Sequence, residues 1–204
     1  LKALGVSNND VLIADKWWPK KRRASHLVES IDQRLSCLNG YPIGLYQIHW
    51  PESESWLWGE MKYLAKLIDE GKVEQVGLCN YNWRQVLRAH TYLKMRGIKL
   101  SSIQVRYNLA YRSIEKNNLF KLAQDLDLKI IVEARDLNEI KEILQHDGVY
   151  RILIDNFSFE DTKKAVQLIG KQCLTESSGG INEETIRKYA ECGVNYISSG
   201  ALTH

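Results

Sequence analysis

"LKIIVEARDLNEI", Leu128–Ile140, carries two different periodicities side by side. Its first half, "KIIVEA" from Lys129, is a nearly continuous apolar run, the pattern of a strand buried on both faces. From Asp136 the pattern becomes helical, and Asp136 with Glu139 three residues on has the form of a capping box. A doubly buried strand that feeds straight into a helix is the building unit of parallel α/β folds.

Seven more strands of this kind follow from the same reading. They are "VLIADK" from Val11, "IGLYQIH" from Ile43, "QVGLCN" from Gln75, "SIQVRY" from Ser102, "RILIDN" from Arg151, "CLTESS" from Cys173 and "NYISSG" from Asn195. Helical patterns lie between them. Ser25 is placed to cap "HLVESIDQRL", in which Leu27, Val28, Ile31 and Leu35 share a face, and Gly71, Gly97, Gly148 and Gly193 stand where helices should stop. Eight strand-then-helix repeats predict an α/β fold, a (β/α)8 TIM barrel of eight parallel strands forming a single domain over residues 1–204. An open doubly wound sheet is the alternative, but no Gly-rich dinucleotide turn accompanies it.

The repeat length changes along the chain. Strand starts are 27 to 32 residues apart up to Lys129 and 22 apart after it. The reading is therefore of two half-barrels, 1–130 and 131–204, joined at the quoted stretch.

Bulk composition excludes several classes. A net charge of +3 is too small for nucleic acid or an anionic membrane to be the main partner. No apolar run reaches the roughly 18 residues of a membrane span, and no secretory signal opens the sequence. Cys37, Cys79, Cys173 and Cys192 form no CxxC pair, which argues against zinc and disulfides and for a reducing, cytoplasmic setting. The densest basic cluster is "KWWPKKRR", Lys16–Arg23, readable as a solvated loop or as an anion-attracting patch.

Residues 1–130 resemble an aldo-keto reductase, on "IADKWWP", "YPIGLYQIHWP", "DEGKVEQVGLCNYN" and "LSSIQVRYNLAYR". That family consists of NADPH-dependent carbonyl reductases using a Tyr proton donor, an Asp–Lys pair that tunes it and a His that orients the carbonyl. The resemblance maps the Lys onto Lys16 and the His onto His49. It maps the nicotinamide contacts onto Asn80, Gln104 and Tyr107. The Tyr and Asp belong to strands earlier than those matched here, and Cys79 stands where the family usually has Ser. Asp15 and Gly44 also depart from the usual Thr and Asp. The expectation is that Lys16 and His49 are catalytic relics and that Asn80, Gln104 and Tyr107 are cofactor-site relics. No cofactor and no metal are expected. Outside the family reading, Lys16 could pair with Asp15, and His49 and Tyr107 could be core groups.

Residues 131–204 resemble the C-terminal part of quinolinate phosphoribosyltransferase, which makes nicotinate mononucleotide. The match rests on "VEARDLNEI", "RILIDNFSFED", "TESSGGINEETIRKYAECGVNYIS" and "SSGALTH". It implies a phosphate cradle of Ser178, Gly179, Gly180, Ser199, Gly200 and Ala201. Glu133 and Asp155 would be ribose- or Mg²⁺-facing relics. Apart from the family, "SSGG" lets backbone N–H groups approach an anion, and a helix from about Asn182 would add a positive dipole end. A tight turn without a ligand and an unliganded Glu133–Asp155 pair are the structural alternatives.

Taken together these readings predict an engineered chimeric scaffold, with a natural fusion as the other origin. It would lack a complete catalytic set and bind phosphate, sulfate or a sugar phosphate. A weak residual reductase or residual nucleotide binding are the alternative functions. Oligomeric state is left open.

Overall fold

The computed structural model describes residues 12–20, 22–52, 56–106 and 118–199. Eight strands lie in one sheet in sequence order, β1 to β8. They are β1 Ala14–Trp17, β2 Leu45–Ile48, β3 Val76–Cys79, β4 Leu100–Arg106, β5 Lys129–Ala134, β6 Val149–Asp155, β7 Leu174–Ser178 and β8 Tyr196–Ile197. All eight fall within or beside the runs picked out above. The pairings β1–β2, β2–β3, β5–β6, β6–β7 and β7–β8 are parallel. The described helices are α1 His26–Glu29, α2 Ile31–Cys37, α3 Leu57–Asp69, α4 Trp83–Met95, α5 Leu119–Asp125, α6 Leu137–Ile143, α7 Phe159–Ile169 and α8 Ile186–Ala190. Sequential parallel strands alternating with helices give the α/β, TIM-barrel-like fold class.

The chain divides into two compact units, residues 1–102 and 103–204. In the first, β2 and β3 are buried at every position, as a doubly covered strand must be. Leu57, Met61, Leu64 and Ala65 make the inner stripe of α3, and Val86, Ala89 and Leu93 that of α4. Asn82 starts α4 with a reciprocal capping box: its side chain accepts from Gln85 N at 3.0 Å, and Gln85 Oε1 accepts from Asn82 N at 2.9 Å. The predicted Ser25 cap does not form. Ser25 is itself in the helical region and makes no side-chain capping bond, and the predicted helix breaks at Ser30, whose hydroxyl donates to the His26 carbonyl. A hydroxyl that bonds back to the preceding turn competes with the helix ladder.

In the second unit Ile130, Val132, Ala134, Ile152 and Ile154 are buried on one face of the sheet. Asp136 caps α6 by accepting from Asn138 N and Glu139 N. The return arm of the box shifts by one residue, with Glu139 Oε2 accepting from Arg135 N at 2.7 Å. The β5–β6 register slips between Ile130 and Ile131, leaving Tyr150 as an extra residue opposite them. Such a bulge re-aims neighbouring side chains. Here Tyr150 meets Lys129 at 4.7 Å, and the Arg151 guanidinium lies 4.4 Å over the Tyr196 ring. Gly71, Gly97, Gly148 and Gly193 all have positive φ, as helix-ending glycines should. No helix among the described residues is long and apolar enough to cross a membrane.

Candidate functional site

In the first unit, strand alternation sorts the β1 side chains. Lys16 is in register with Gln47, and Asp15 with Tyr46, so Lys16 and Gln47 share one face and Asp15 and Tyr46 the other. Asp15 does not pair with Lys16 across that divide. It is held by Arg34 of α2, Nη1 to Oδ2 at 2.6 Å, and its other oxygen accepts from the Lys16 backbone N–H at 2.7 Å. Trp17, on the Asp15 side, donates its indole N–H to His26 Nδ1 at 3.1 Å. Burial and Arg22 lower the pKa of His26.

The Lys16 face continues through Gln47, whose amide donates to Ser102 Oγ at 3.3 Å. A side chain on Gly77 would run into Ser102 and Gln47, which explains the glycine in β3. His49 follows β2; its backbone N–H donates to the Trp17 carbonyl at 2.9 Å, and its ring meets Trp18 edge-on at 5.0 Å. Asn80, at positive φ, donates its side-chain amide to the His49 carbonyl at 3.3 Å, tying the ends of β2 and β3 together. Cys79 is fully buried beside it.

Sequence reading missed one group in this unit. Glu60 of α3 is fully buried and accepts from Tyr81 Oη at 2.7 Å, while its Oε1 has no hydrogen-bond partner among the described residues. Burial raises its pKa to about 7 against the pull of the Tyr81 hydrogen bond. The signal was a carboxylate inside the apolar stripe of Leu57, Met61 and Leu64.

In the second unit, Gln104 is buried in β4. Glu133 stands between two arginines, 3.7 Å from Arg106 Nε and 3.4 Å from Arg135 Nη2. Glu176 is buried against Arg151, with 3.1 Å from Nε to Oε2 but poor alignment for a hydrogen bond, and accepts from the Ser198 hydroxyl. Asp155 is in register with Ser178, at the end where β6 and β7 leave the sheet.

The "SSGG" turn begins there. The Ser178 carbonyl accepts from Asn156 N at 2.8 Å. Gly179 has φ +95° and lies so close to Asn156 that a Cβ would strike its side chain and be 2.8 Å from its backbone N. Gly180 has φ +63° and faces open space. The N–H groups of Gly179, Gly180 and Ile181 have no acceptor among the described residues. Ser199 does not aim its hydroxyl at the turn amides; it donates to the Ile181 carbonyl at 2.7 Å.

The helix expected from Asn182 starts later. Asn182 Oδ1 accepts from Glu184 N and Thr185 N, so 182–185 is a side-chain-closed turn, and α8 begins at Ile186 and runs only five residues. Its dipole contributes nothing useful to an anion at Gly180, and the amides must act alone. Tyr107, Gly200 and Ala201 lie outside the described residues. Among the described residues, no three His, Cys, Asp or Glu converge as a metal site.

The aldo/keto reductase family profile matches residues 1–135. The chain belongs to the aldo/keto reductase family. A second profile, the quinolinate phosphoribosyltransferase C-terminal domain, matches residues 110–204, so the two overlap over the stretch that includes β5. The chain is a two-part chimera of these families.

Curated relatives divide the same way. Pyridoxal reductase of Arabidopsis thaliana chloroplasts is 29% identical over 64% of this chain and 37% of its own length. The chloroplastic nicotinate-nucleotide pyrophosphorylase of Oryza sativa is 37% identical over 42% of this chain and 27% of its own. The chain thus spans well under half the length of either relative. Among solved structures, the aldo/keto reductase of Brucella melitensis superposes with a TM-score of 0.62 at 18% identity, covering 98% of this chain and 75% of that one. The aldose reductase of Schistosoma japonicum gives 0.62 at 19%, covering 98% and 69%. At such identity they attest the fold.

Proposed function

We propose that this aldo/keto reductase family member is an engineered barrel scaffold made by joining two family halves, and that it binds phosphate at the "SSGG" turn. Two observations support the engineered join. The family profiles hand over between residues 110 and 135, and the repeat shortens from 27 to 32 residues to 22 at the same place.

Neither half is read as catalytically complete. Lys16 has no acid partner among the described residues, since Asp15 is committed to Arg34 on the opposite face. Asp15 is not the counterpart of the Asp in the family's pair, which the resemblance assigns to an earlier strand, and the plain Lys16–Asp15 pairing does not form either. On the phosphoribosyltransferase side, Glu133 is already flanked by Arg106 and Arg135, which satisfies its charge without a metal or a ribose.

The observation that carries the phosphate reading is the run of three amides, Gly179, Gly180 and Ile181, without an acceptor among the described residues, beside an open Gly180. Successive backbone N–H groups in a turn form an anion-binding concavity. A charge-assisted hydrogen bond is worth on the order of 1.5 to 3 kcal/mol, and desolvation and ordering cancel much of the sum. A dissociation constant around the millimolar range follows, near 4 kcal/mol.

Thermal melting in phosphate against chloride at matched ionic strength tests this. At a hundredfold excess over the dissociation constant the wild type should gain about 2.7 kcal/mol. Gly179→Asp is a poor control, because its Cβ would collide with Asn156. Gly180→Asp places a carboxylate at the open position instead, and Gly180→Asn, which tolerates positive φ, controls for backbone strain. The phosphate shift should vanish in the first variant and survive in the second. A wild-type shift no larger in phosphate than in chloride refutes the reading.

A further inference from the structure

Arg151 of β6 is 7% exposed, yet its guanidinium has no hydrogen-bond acceptor among the described residues. Register places Arg151 opposite Leu174 and Glu176 opposite Tyr196, so Arg151, Glu176 and Tyr196 share one face of the sheet. Glu176 lies 3.1 Å from Arg151 Nε without the alignment of a hydrogen bond, and its other oxygen accepts from the Ser198 hydroxyl. Nε is sealed from solvent, whereas the two Nη atoms keep contact with it. The guanidinium lies 4.4 Å over the Tyr196 ring. Lys129 Nζ, 4.7 Å over the ring of the neighbouring bulged Tyr150, adds positive charge at the same strand ends. Arg151 precedes Asp155 by four residues on β6, about 13 Å along a parallel strand from the end where the "SSGG" turn begins.

A guanidinium presents five N–H donors in a rigid planar fork, and buried donors without acceptors are destabilising. Glu176 offsets the charge of Arg151 but leaves the Nη donors unmet. The Tyr196 ring holds the plane of the fork, so its geometry is set before a ligand arrives. A carboxylate matches such a fork with two parallel charge-assisted hydrogen bonds. We propose that Arg151 anchors a binding site for small monocarboxylates, separate from the phosphate turn, in which the two carboxylate oxygens take the Nη donors. Glu176 stands close enough to repel added negative charge, and a phosphate dianion suffers that repulsion more than a singly charged carboxylate does. This sets the selectivity of the Arg151 site against that of the turn. Small size follows from the 7% exposure, which leaves only the edge of the fork for a ligand to reach.

The test titrates sodium acetate into the full chain at constant ionic strength, with chloride making up the balance. The side-chain Nε–H and backbone resonances of Arg151 are followed by NMR. They should move and saturate with acetate, and move less with the same concentrations of inorganic phosphate. Arg151→Lys keeps the charge but not the fork, and should weaken acetate binding roughly tenfold or more, the loss of one charge-assisted hydrogen bond. Glu176→Gln should do the opposite and tighten acetate binding several-fold, because the guanidinium is no longer shared with a carboxylate. An arginine that served only to pair with Glu176 would give no such gain. The wild-type titration needs no variant to fold. Arg151 resonances that stay still in the wild type, or drift without saturating, overturn the proposal, as does an acetate affinity unchanged or weaker in Glu176→Gln.

Discussion

Arg34 Nη1 reaches Asp15 Oδ2 at 2.6 Å and so takes the acid of β1 to the face opposite Lys16. The pair is shielded, with side-chain exposures of 20% and 9%, and the guanidinium lies 5.9 Å over the Tyr46 ring. Removing one partner of a buried pair leaves an uncompensated charge, which usually costs more than the pair contributes. Arg34→Met should therefore lower the urea-unfolding free energy by about 3 kcal/mol. Adding Asp15→Asn should recover part of the loss. A double variant no more stable than the single one would show that Asp15 is not the source of the cost.

Glu60 makes the first unit sensitive to pH. Its pKa is raised to about 7 by burial, above its unfolded value of 4.5. The folded state thus favours the neutral acid, and this stability is fully present below the unfolded value and lost as pH rises through about 7. Over the whole range the change is about 3 kcal/mol. Glu60→Gln keeps a group for Tyr81 to bond and should flatten the dependence, becoming the more stable protein above neutral pH. Parallel pH profiles of unfolding for the two proteins would contradict this assignment.

His26 works in the opposite direction. It accepts the Trp17 indole N–H through Nδ1, which requires that nitrogen to be unprotonated. Its lowered pKa means that stability is present above the unfolded value of 6.5 and is lost as pH falls through the lower folded value. The Trp17 indole proton resonance should shift and broaden on acidification in the wild type. In His26→Phe it should be insensitive to pH from the start.

The strands were legible because burial on both faces leaves continuous apolar runs, and "LYQI" and "VGLC" are buried at every position. The backbone of the "SSGG" turn was legible too: two adjacent glycines mark a chain at positive φ, as Gly179 and Gly180 are. What could not be read depends on side-chain geometry across elements. Nothing local says that Asp15 will face α2, that Tyr150 will bulge out of register, or that Ser30 will interrupt the first helix. Asn182 looked like the first residue of a helix because its turn-closing bonds use the same residue types as an N-cap. The buried Glu60 was visible only as an exception to the stripe on α3.

The central claim is that the amides of Gly179, Gly180 and Ile181 form a working phosphate cradle. It is tested most directly by following backbone amide resonances while inorganic phosphate is titrated in at constant ionic strength. Those three resonances should move together and saturate in the millimolar range, and should stay still in Gly180→Asp. If they stay still in the wild type while Lys20, Arg22 and Arg23 respond, phosphate binds the basic loop instead, and the cradle assigned to the turn is contradicted.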